Sequence, residues 1–283
     1  ANENTIRAKK NWGEKFKAFC ERENIKSLGD VTYSALASFV DAGHKAGDAP
    51  TTTRLRYDIL RHFCKLQFSR HGFVDVSLGL RGPSIDKGQP KWFGKKRGEA
   101  LRLKAESERD RLVVELMYRA GLRRSEVCRL NLGNFDADNS RLKDVWTKGD
   151  KFRQIALNDS VLKAIRAYMP ARHQILRKRD RAYLALPASK QAPYPLLLTT
   201  RATVPGDPES FRLSGETIRN IVRRADEHTT PHQLRHSFIR DVYTSTKDIL
   251  VAKEAAGHSQ VQTTFRYAQP EEDEVILAIR GLD

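Results

Sequence analysis

The sequence predicts a mainly α-helical protein with one small β-hairpin, divided into an N-terminal helical domain and a larger C-terminal domain. Three observations predict it. Apolar residues recur every three or four positions through most of the chain, the spacing of one helix face. The period turns to alternation around residues 142–157, on either side of a Lys-Gly-Asp-Lys turn. The periodicity fails from Gly72 to Gly98, where RGPSIDKGQPKWFGKKRG mixes Gly, Pro and Lys as a linker does. The boundaries that follow are 1–82 for the first domain, 83–97 for the linker and 98–283 for the second.

In the first domain, Trp12, Phe16, Phe19 and Cys20 form one stripe, and Tyr33, Leu36, Phe39 and Val40 a second. Leu55, Ile59, Leu60, Phe63, Cys64 and Phe68 form a third, and these aromatics are expected in the core. Lys9, Lys10, Lys15, Lys17, Arg54, Arg56, Arg61, Lys65 and Arg70 are expected on the outward faces, where a basic bundle suits a phosphate backbone.

In the second domain, Leu112, Val113, Leu116, Met117 and Ala120 predict a helix that Gly121 stops. Ser125 is placed to cap the next one, which leaves Arg123 in the turn, with Glu126 orienting that turn. Leu142 and Val145 lead into WTKGDKFRQIAL, a hairpin whose Gly149 tolerates the positive φ of a tight turn. Helical character returns over Val161–Met169. The stretch 170–212, with Arg177, Lys178, Arg179 and Arg181, has no legible role, and Ile218, Ile221 and Val222 form a further amphipathic turn.

The densest chemistry lies in TPHQLRHSFIRDVYTSTKDILVAKEAAGHSQVQTTFRY, residues 230–267. Thr230 is placed to cap a helix with Pro231 at its first position, where the missing N–H is harmless. His232, Arg235 and His236 then leave from one face, while Leu234, Phe238 and Val242 line another. A second helix is expected from Asp248 to Gly257, a left-handed stop that leaves His258 on a turn. Ser259 is expected to cap a third helix ending near Tyr267. Two imidazoles, a guanidinium and a phenol at fixed spacing are a set for phosphate chemistry.

Composition narrows the partners. The 283 residues include 51 basic and 35 acidic ones, a formal net charge of +16. Both halves share it, +5 over residues 1–90 and +11 beyond. Such a chain is expected to meet a polyanion. Cys20, Cys64 and Cys128 lack metal or disulfide spacing. No apolar run reaches the ~20 residues of a membrane span and no signal peptide opens the chain, so a cytoplasmic protein with no membrane partner is expected. His232 and His236 have the spacing of zinc ligands, but Gln233 stands where a zinc protease needs its glutamate, and neither metal nor cofactor is expected.

The order H-x-x-R-H, then G-H, then a tyrosine nine residues on, resembles the tyrosine recombinases, also called the phage integrase family. GLRRSEVCRL is similar to that family's first arginine motif, which selects Arg123 over Arg124. The hairpin is similar to the one whose lysine just before the glycine is catalytic, which selects Lys148, with Lys151 as second choice. The resemblance covers about residues 100–270 by motif, and departs from the family in having no Leu-Thr-x-Glu opening at Gly98 to Ala105. With no segment set aside for a further arm-binding domain, the chain looks like the compact members, Xer-type recombinases or the enzymes of mobile elements.

The resemblance implies an N-terminal helical core-binding domain and a C-terminal tyrosine-recombinase catalytic domain clamped around DNA. It implies a catalytic set of Arg123, Lys148, His232, Arg235, His258 and Tyr267. The two arginines would hold the nonbridging phosphate oxygens, and Tyr267 would be the nucleophile of a 3′-phosphotyrosyl intermediate. His232 and His258 would hydrogen-bond the phosphate or assist proton transfer, and Lys148 would protonate the leaving 5′ oxygen. The partners implied are double-stranded DNA with an inverted-repeat core site, accessory DNA-binding proteins, and three further copies of the chain. That homo-tetramer would be joined through the C-terminal tail EEDEVILAIRGLD, with Val275, Ile276, Leu277 and Ile279 docking in trans, and would exchange strands through a Holliday junction. The alternatives are a type IB topoisomerase or telomere resolvase, and a DNA-binding regulator without activity.

Overall fold

A computed structural model describes residues 3–85, 90–147, 151–201, 203–268, 276, 279 and 280. The chain divides into two compact units, Ala1–Gly88 and Gln89–Asp283. Among the described residues, no helix is long and apolar enough to cross a membrane.

The first unit consists of α1 (Glu3–Arg22), α2 (Tyr33–Lys45) and α3 (Pro50–His71). Trp12, Phe16, Phe19, Leu36, Phe39, Val40, Tyr57, Leu60, Cys64 and Phe68 form its core. Three stripe residues depart from the expectation: Tyr33 opens α2 half exposed, and Leu55 and Phe63 are exposed on α3. On α3 the buried row is Tyr57, Leu60, Cys64 and Phe68, while Ile59, Phe63 and Leu66 form a second row. That second row lines, with Trp12 and Phe16, an open cavity of about 530 Å³.

Arg56 also departs, from the outward faces to the core. It lies one turn before Leu60, so helix geometry turns it inward. Its guanidinium sits 4.5 Å from the Trp12 ring centroid, donates to the Phe39 carbonyl at 3.0 Å, and pairs with Asp48 at 2.7 Å.

The second unit opens with α4 (Lys95–Leu103), whose first turn lies in the stretch read as linker. α5 (Glu108–Tyr118) is capped by Ser107, which accepts from the Asp110 N–H. It is buried on nearly every side, with Leu112 to Tyr118 all inside, because the helices Asp159–Arg179, Gly215–Ala225 and Pro231–Thr246 surround it. α6 (Arg124–Arg129) leads to an antiparallel sheet of β1 (Phe135–Asp136), β2 (Arg141–Thr147) and β3 (Lys151–Ala156). The expected hairpin is therefore widened by a short third strand. β2 and β3 pair Leu142 with Ile155 and Val145 with Arg153, and a bulge between them holds Asp144 at φ 52°.

α7 (Asp159–Arg179) runs ten residues past Met169, straight through Pro170. Tertiary anchoring overrides the helix-breaking tendency of proline there. Arg172, fully buried, donates to the Pro195 carbonyl at 3.2 and 3.0 Å and to the Tyr183 hydroxyl at 2.9 Å. Leu176, Tyr183, Tyr194, Leu198 and Phe211 pack into a satellite core, which gives much of 170–212 a structural role. This stretch includes α8 (Ala188–Gln191), and α9 (Gly215–Ala225) then leads into residues 230–268.

Candidate active site

α10 (Pro231–Thr246) starts where the local chemistry directs. Thr230 Oγ1 accepts from the Gln233 N–H, and the Gln233 side chain returns a bond to the Thr230 N–H, closing a capping box. Asp248 caps α11 (Ile249–Ala256) through the Leu250 and Val251 N–H groups, and Gly257 ends it at φ 61°. The His258 N–H then donates to the Lys253 carbonyl, which fixes the turn that carries the imidazole.

Two expected caps are not used. α12 (Gln262–Ala268) begins three residues after Ser259, because the Thr264 hydroxyl meets His258 Nδ1 at 3.0 Å and keeps the intervening residues in a turn. At α6 the cap residue is Arg123, not Ser125, since Glu126 Oε2 accepts from the Arg123 N–H at 2.8 Å.

Five of the six expected site residues converge in the second unit. Arg123 Nη2 donates to the Gly257 carbonyl at 3.4 Å, beside His258. Arg235, 2% exposed, donates to the carbonyls of Gly121 and Ala256. Gly121 makes that approach possible: its φ is 64°, and a Cβ there would lie 2.3 Å from the Phe238 ring. His232 packs edge-on to His236 with centroids 4.5 Å apart. The Tyr267 ring lies 6.4 Å from that of His258 and 5.5 Å from that of His236, and its hydroxyl hydrogen-bonds His236 Nδ1. The sixth residue, Lys148, lies outside the described residues. So does most of the tail, including Val275 and Leu277, while Ile276 and Ile279 are exposed.

Beneath these side chains sits Glu126, also 2% exposed. Its carboxylate meets Arg123 Nη1 at 2.7 Å and Arg153 Nη2 at 3.1 Å, and lies 3.9 Å from Arg235 Nη1. Burial alone would raise its pKa, but Arg153, the Arg123 N–H and Arg235 together hold it below the usual carboxylate range. Glu126 thus ties three guanidiniums together, more than the turn-orienting role expected of it. Arg153, which also donates to the Ala255 carbonyl at 3.0 Å, carries no sequence signal beyond its place on the hairpin.

The electrostatics suit an anion. Burial, then the Arg123 charge, pushes the Arg235 pKa down to about 9, which leaves a cation at neutral pH. Burial, then neighbouring positive charge, pushes His236 and His258 down to about 4, and lowers His232. Burial pushes the Tyr267 phenol up to about 12 against the opposing pull of Arg235, Arg266 and Arg123. The resting site is therefore three guanidiniums around the Glu126 carboxylate, with neutral imidazoles and a protonated phenol beside them. Among the described residues, no group of three or more His, Cys, Asp or Glu is arranged to hold a metal.

A pH dependence follows. His236 and His258 bind protons in the unfolded chain below its ordinary pKa of ~6.5, but in the fold only near 4. Stability is therefore full above about pH 6.5 and is lost as pH falls toward 4. The urea midpoint at pH 5 is expected to lie below that at pH 7.5, and equal midpoints would contradict the burial of these rings.

The sequence profile described as the Phage integrase family matches residues 98–274. Tyrosine recombinase XerC of Pseudomonas syringae pv. syringae is 26% identical over 257 residues, covering 88% of this chain and 80% of that protein. XerC of Thermodesulfovibrio yellowstonii is 29% identical over 278 residues, covering 93% and 84%. The Tn1549 transposon integrase, solved with circular intermediate DNA, shares the fold at a TM-score of 0.69 and 15% identity, over 99% of this chain and 94% of that one. A lambda integrase dimer bound to a core site does so at 0.66 and 16%, over 97% and 91%.

Proposed function

Because the chain belongs to the phage integrase family, we propose that it is a site-specific DNA recombinase that cleaves and rejoins strands through a 3′-phosphotyrosyl bond on Tyr267. The observation that carries this reading is the gathering of Arg123, Arg235, His232 and His258 around one tyrosine, with Glu126 holding the arginines from below. Guanidiniums fixed before the reaction stabilise charge on the nonbridging oxygens without reorganising. Arg123 and Arg235 fill this role, His232 and His258 hydrogen-bond the same phosphate, and Lys148 protonates the departing 5′ oxygen. The phosphotyrosyl bond conserves the energy of the cleaved linkage, so a 5′ hydroxyl from a second duplex reseals it without ATP.

Tyr267 is 2% exposed with its hydroxyl bonded to His236, and Arg235 Nη1 and Nη2 each donate to a backbone carbonyl. Attack therefore requires α12 to shift far enough to admit the phosphate beside the phenol oxygen, with the hydroxyl still in reach of His236. Residues 1–82 form the core-binding domain, 83–97 the tether and 98–283 the catalytic domain, and the net charge of +16 favours a clamp on duplex DNA. Four copies act on two inverted-repeat sites in the cytoplasm, through a Holliday junction and alongside accessory DNA-binding proteins. The tail of each copy docks on its neighbour, a reading supported by the exposure of Ile276 and Ile279.

The test first searches the DNA flanking the coding sequence for an inverted repeat, then uses a nicked duplex bearing it, followed by a two-site exchange assay. A covalent protein–DNA adduct and recombinant products are expected. Relaxation of supercoiled random DNA without exchange would make the chain a topoisomerase, and binding without any adduct would make it a regulator.

A further inference from the structure

The Tyr267 ring packs with Ile239, Ala256, Trp92 and Phe238, and its backbone carbonyl accepts from Arg240 at 2.5 Å. The hydroxyl turns the other way, onto His236 Nδ1. Between a phenol and a neutral imidazole, the phenol is the better acid and the ring nitrogen the better base. The bond therefore runs from the tyrosine O–H to a bare Nδ1, with the ring proton on Nε2. The other two histidines are engaged elsewhere. His258 Nδ1 faces the Thr264 hydroxyl, and the His232 ring lies edge-on against His236.

We propose that His236 is the base that takes the Tyr267 phenol proton as the tyrosine oxygen attacks the DNA phosphorus. This assignment rests on the recombinase reading above. In the forward step the O–P bond to Tyr267 forms while the P–O5′ bond breaks. The phenol proton passes to His236 Nδ1, and O5′ leaves with the proton of its own acid. Resealing runs backward: the incoming 5′ hydroxyl gives its proton to that acid, and imidazolium His236 returns one to the departing tyrosine oxygen.

The surroundings suit a base that must be unprotonated at the start. His232 and Arg235 on α10, Arg266 and Tyr267 on α12, and His258 after α11 all face His236. Burial first, then the positive groups among these, keep its pKa near 4. A base this weak does not remove the phenol proton in the resting site. Transfer accompanies O–P bond formation, when the phenol becomes acidic and the bound phosphate's negative charge favours imidazolium.

The test is single-turnover cleavage by the full chain on the same nicked duplex, comparing wild type with His236→Asn, whose amide reaches the Nδ1 position but takes up no proton. Cleavage is expected to fall about 10²-fold or more with DNA affinity unchanged, and the acid limb of the rate–pH profile to disappear. Difluorotyrosine at position 267, a more acidic phenol, is expected to recover at least a tenfold part of that loss in the His236→Asn protein and to gain little in wild type. His236→Gln serves if the asparagine variant does not fold. Cleavage within about threefold of wild type with an unchanged pH profile, or a loss that difluorotyrosine does not relieve, overturns the assignment. A wild type that forms no adduct overturns the recombinase reading itself, a result distinct from either.

Discussion

Tyr267→Phe is expected to remove covalent DNA adducts altogether, a loss on the order of 10⁴-fold or more in strand cleavage, while leaving the fold and DNA binding in place. The change deletes one oxygen. The ring stays among Ile239, Ala256, Trp92 and Phe238, so its packing is kept. What goes is the hydrogen bond to His236, with a half-buried imidazole nitrogen left short of a partner, together about 1–2 kcal/mol. The guanidiniums expected to bind phosphate, Arg123 and Arg235, bond to Glu126 and to backbone carbonyls and not to the missing oxygen, so affinity for the nicked duplex is expected to change less than about threefold, below 1 kcal/mol. Denaturing gels read the adduct, urea unfolding the stability and gel shifts the affinity. An adduct that survives the substitution would place the nucleophile elsewhere and end the assignment of Tyr267.

The parts of this site that were legible in the sequence are those fixed by local chemistry. Thr230 and Pro231 determine where α10 begins, and Gly257 determines where α11 ends, because caps and left-handed turns act over a few residues. The same reasoning misplaced Ser125 and Ser259. In each case a side chain arriving from a few residues further on, Glu126 or Thr264, set the turn in place of the serine. Arg56, as a charged residue, is expected on an outward face and Arg172 carries no local signal, yet both are buried, since only the assembled core supplies the rings, carbonyls and carboxylate that receive them.

His232 and His236 share one helix face, so spacing alone does not tell which will meet the tyrosine. The approach of α12 decides it, and it selects His236. Arg153 shows the limit most clearly. Nothing in WTKGDKFRQIAL distinguishes a hairpin arginine pointing at solvent from one that reaches Glu126 and the end of α11.

Glu126→Ala is expected to cost about 3–5 kcal/mol of stability, as removal of one partner from a buried charge cluster does. Three guanidiniums converge on this carboxylate. Arg235 is as buried as the glutamate itself, so without Glu126 its charge faces Arg123 and Arg153 with no anion between them. The cap on the Arg123 N–H goes as well. Glu126→Gln separates the two losses: an amide oxygen still caps the N–H and fills the volume, but carries no charge. Its loss is expected to fall between wild type and Glu126→Ala. The sign of the pH effect follows from the lowered pKa of Glu126: its contribution is present above the ordinary carboxylate value and disappears as pH falls through the folded one, so both variants should lose less than wild type on acidification. Cleavage should suffer beyond the loss of fold, because Arg123 and Arg235 no longer share a fixed anchor and a displacement of about 1 Å at a phosphate-binding group costs on the order of 10²-fold in rate. Urea unfolding at two pH values and single-turnover cleavage at a temperature where each variant is folded separate the effects. A Glu126→Gln protein with wild-type stability and full cleavage would show that the arginines are held by their backbone carbonyls alone, and that the carboxylate beneath them is only a cap.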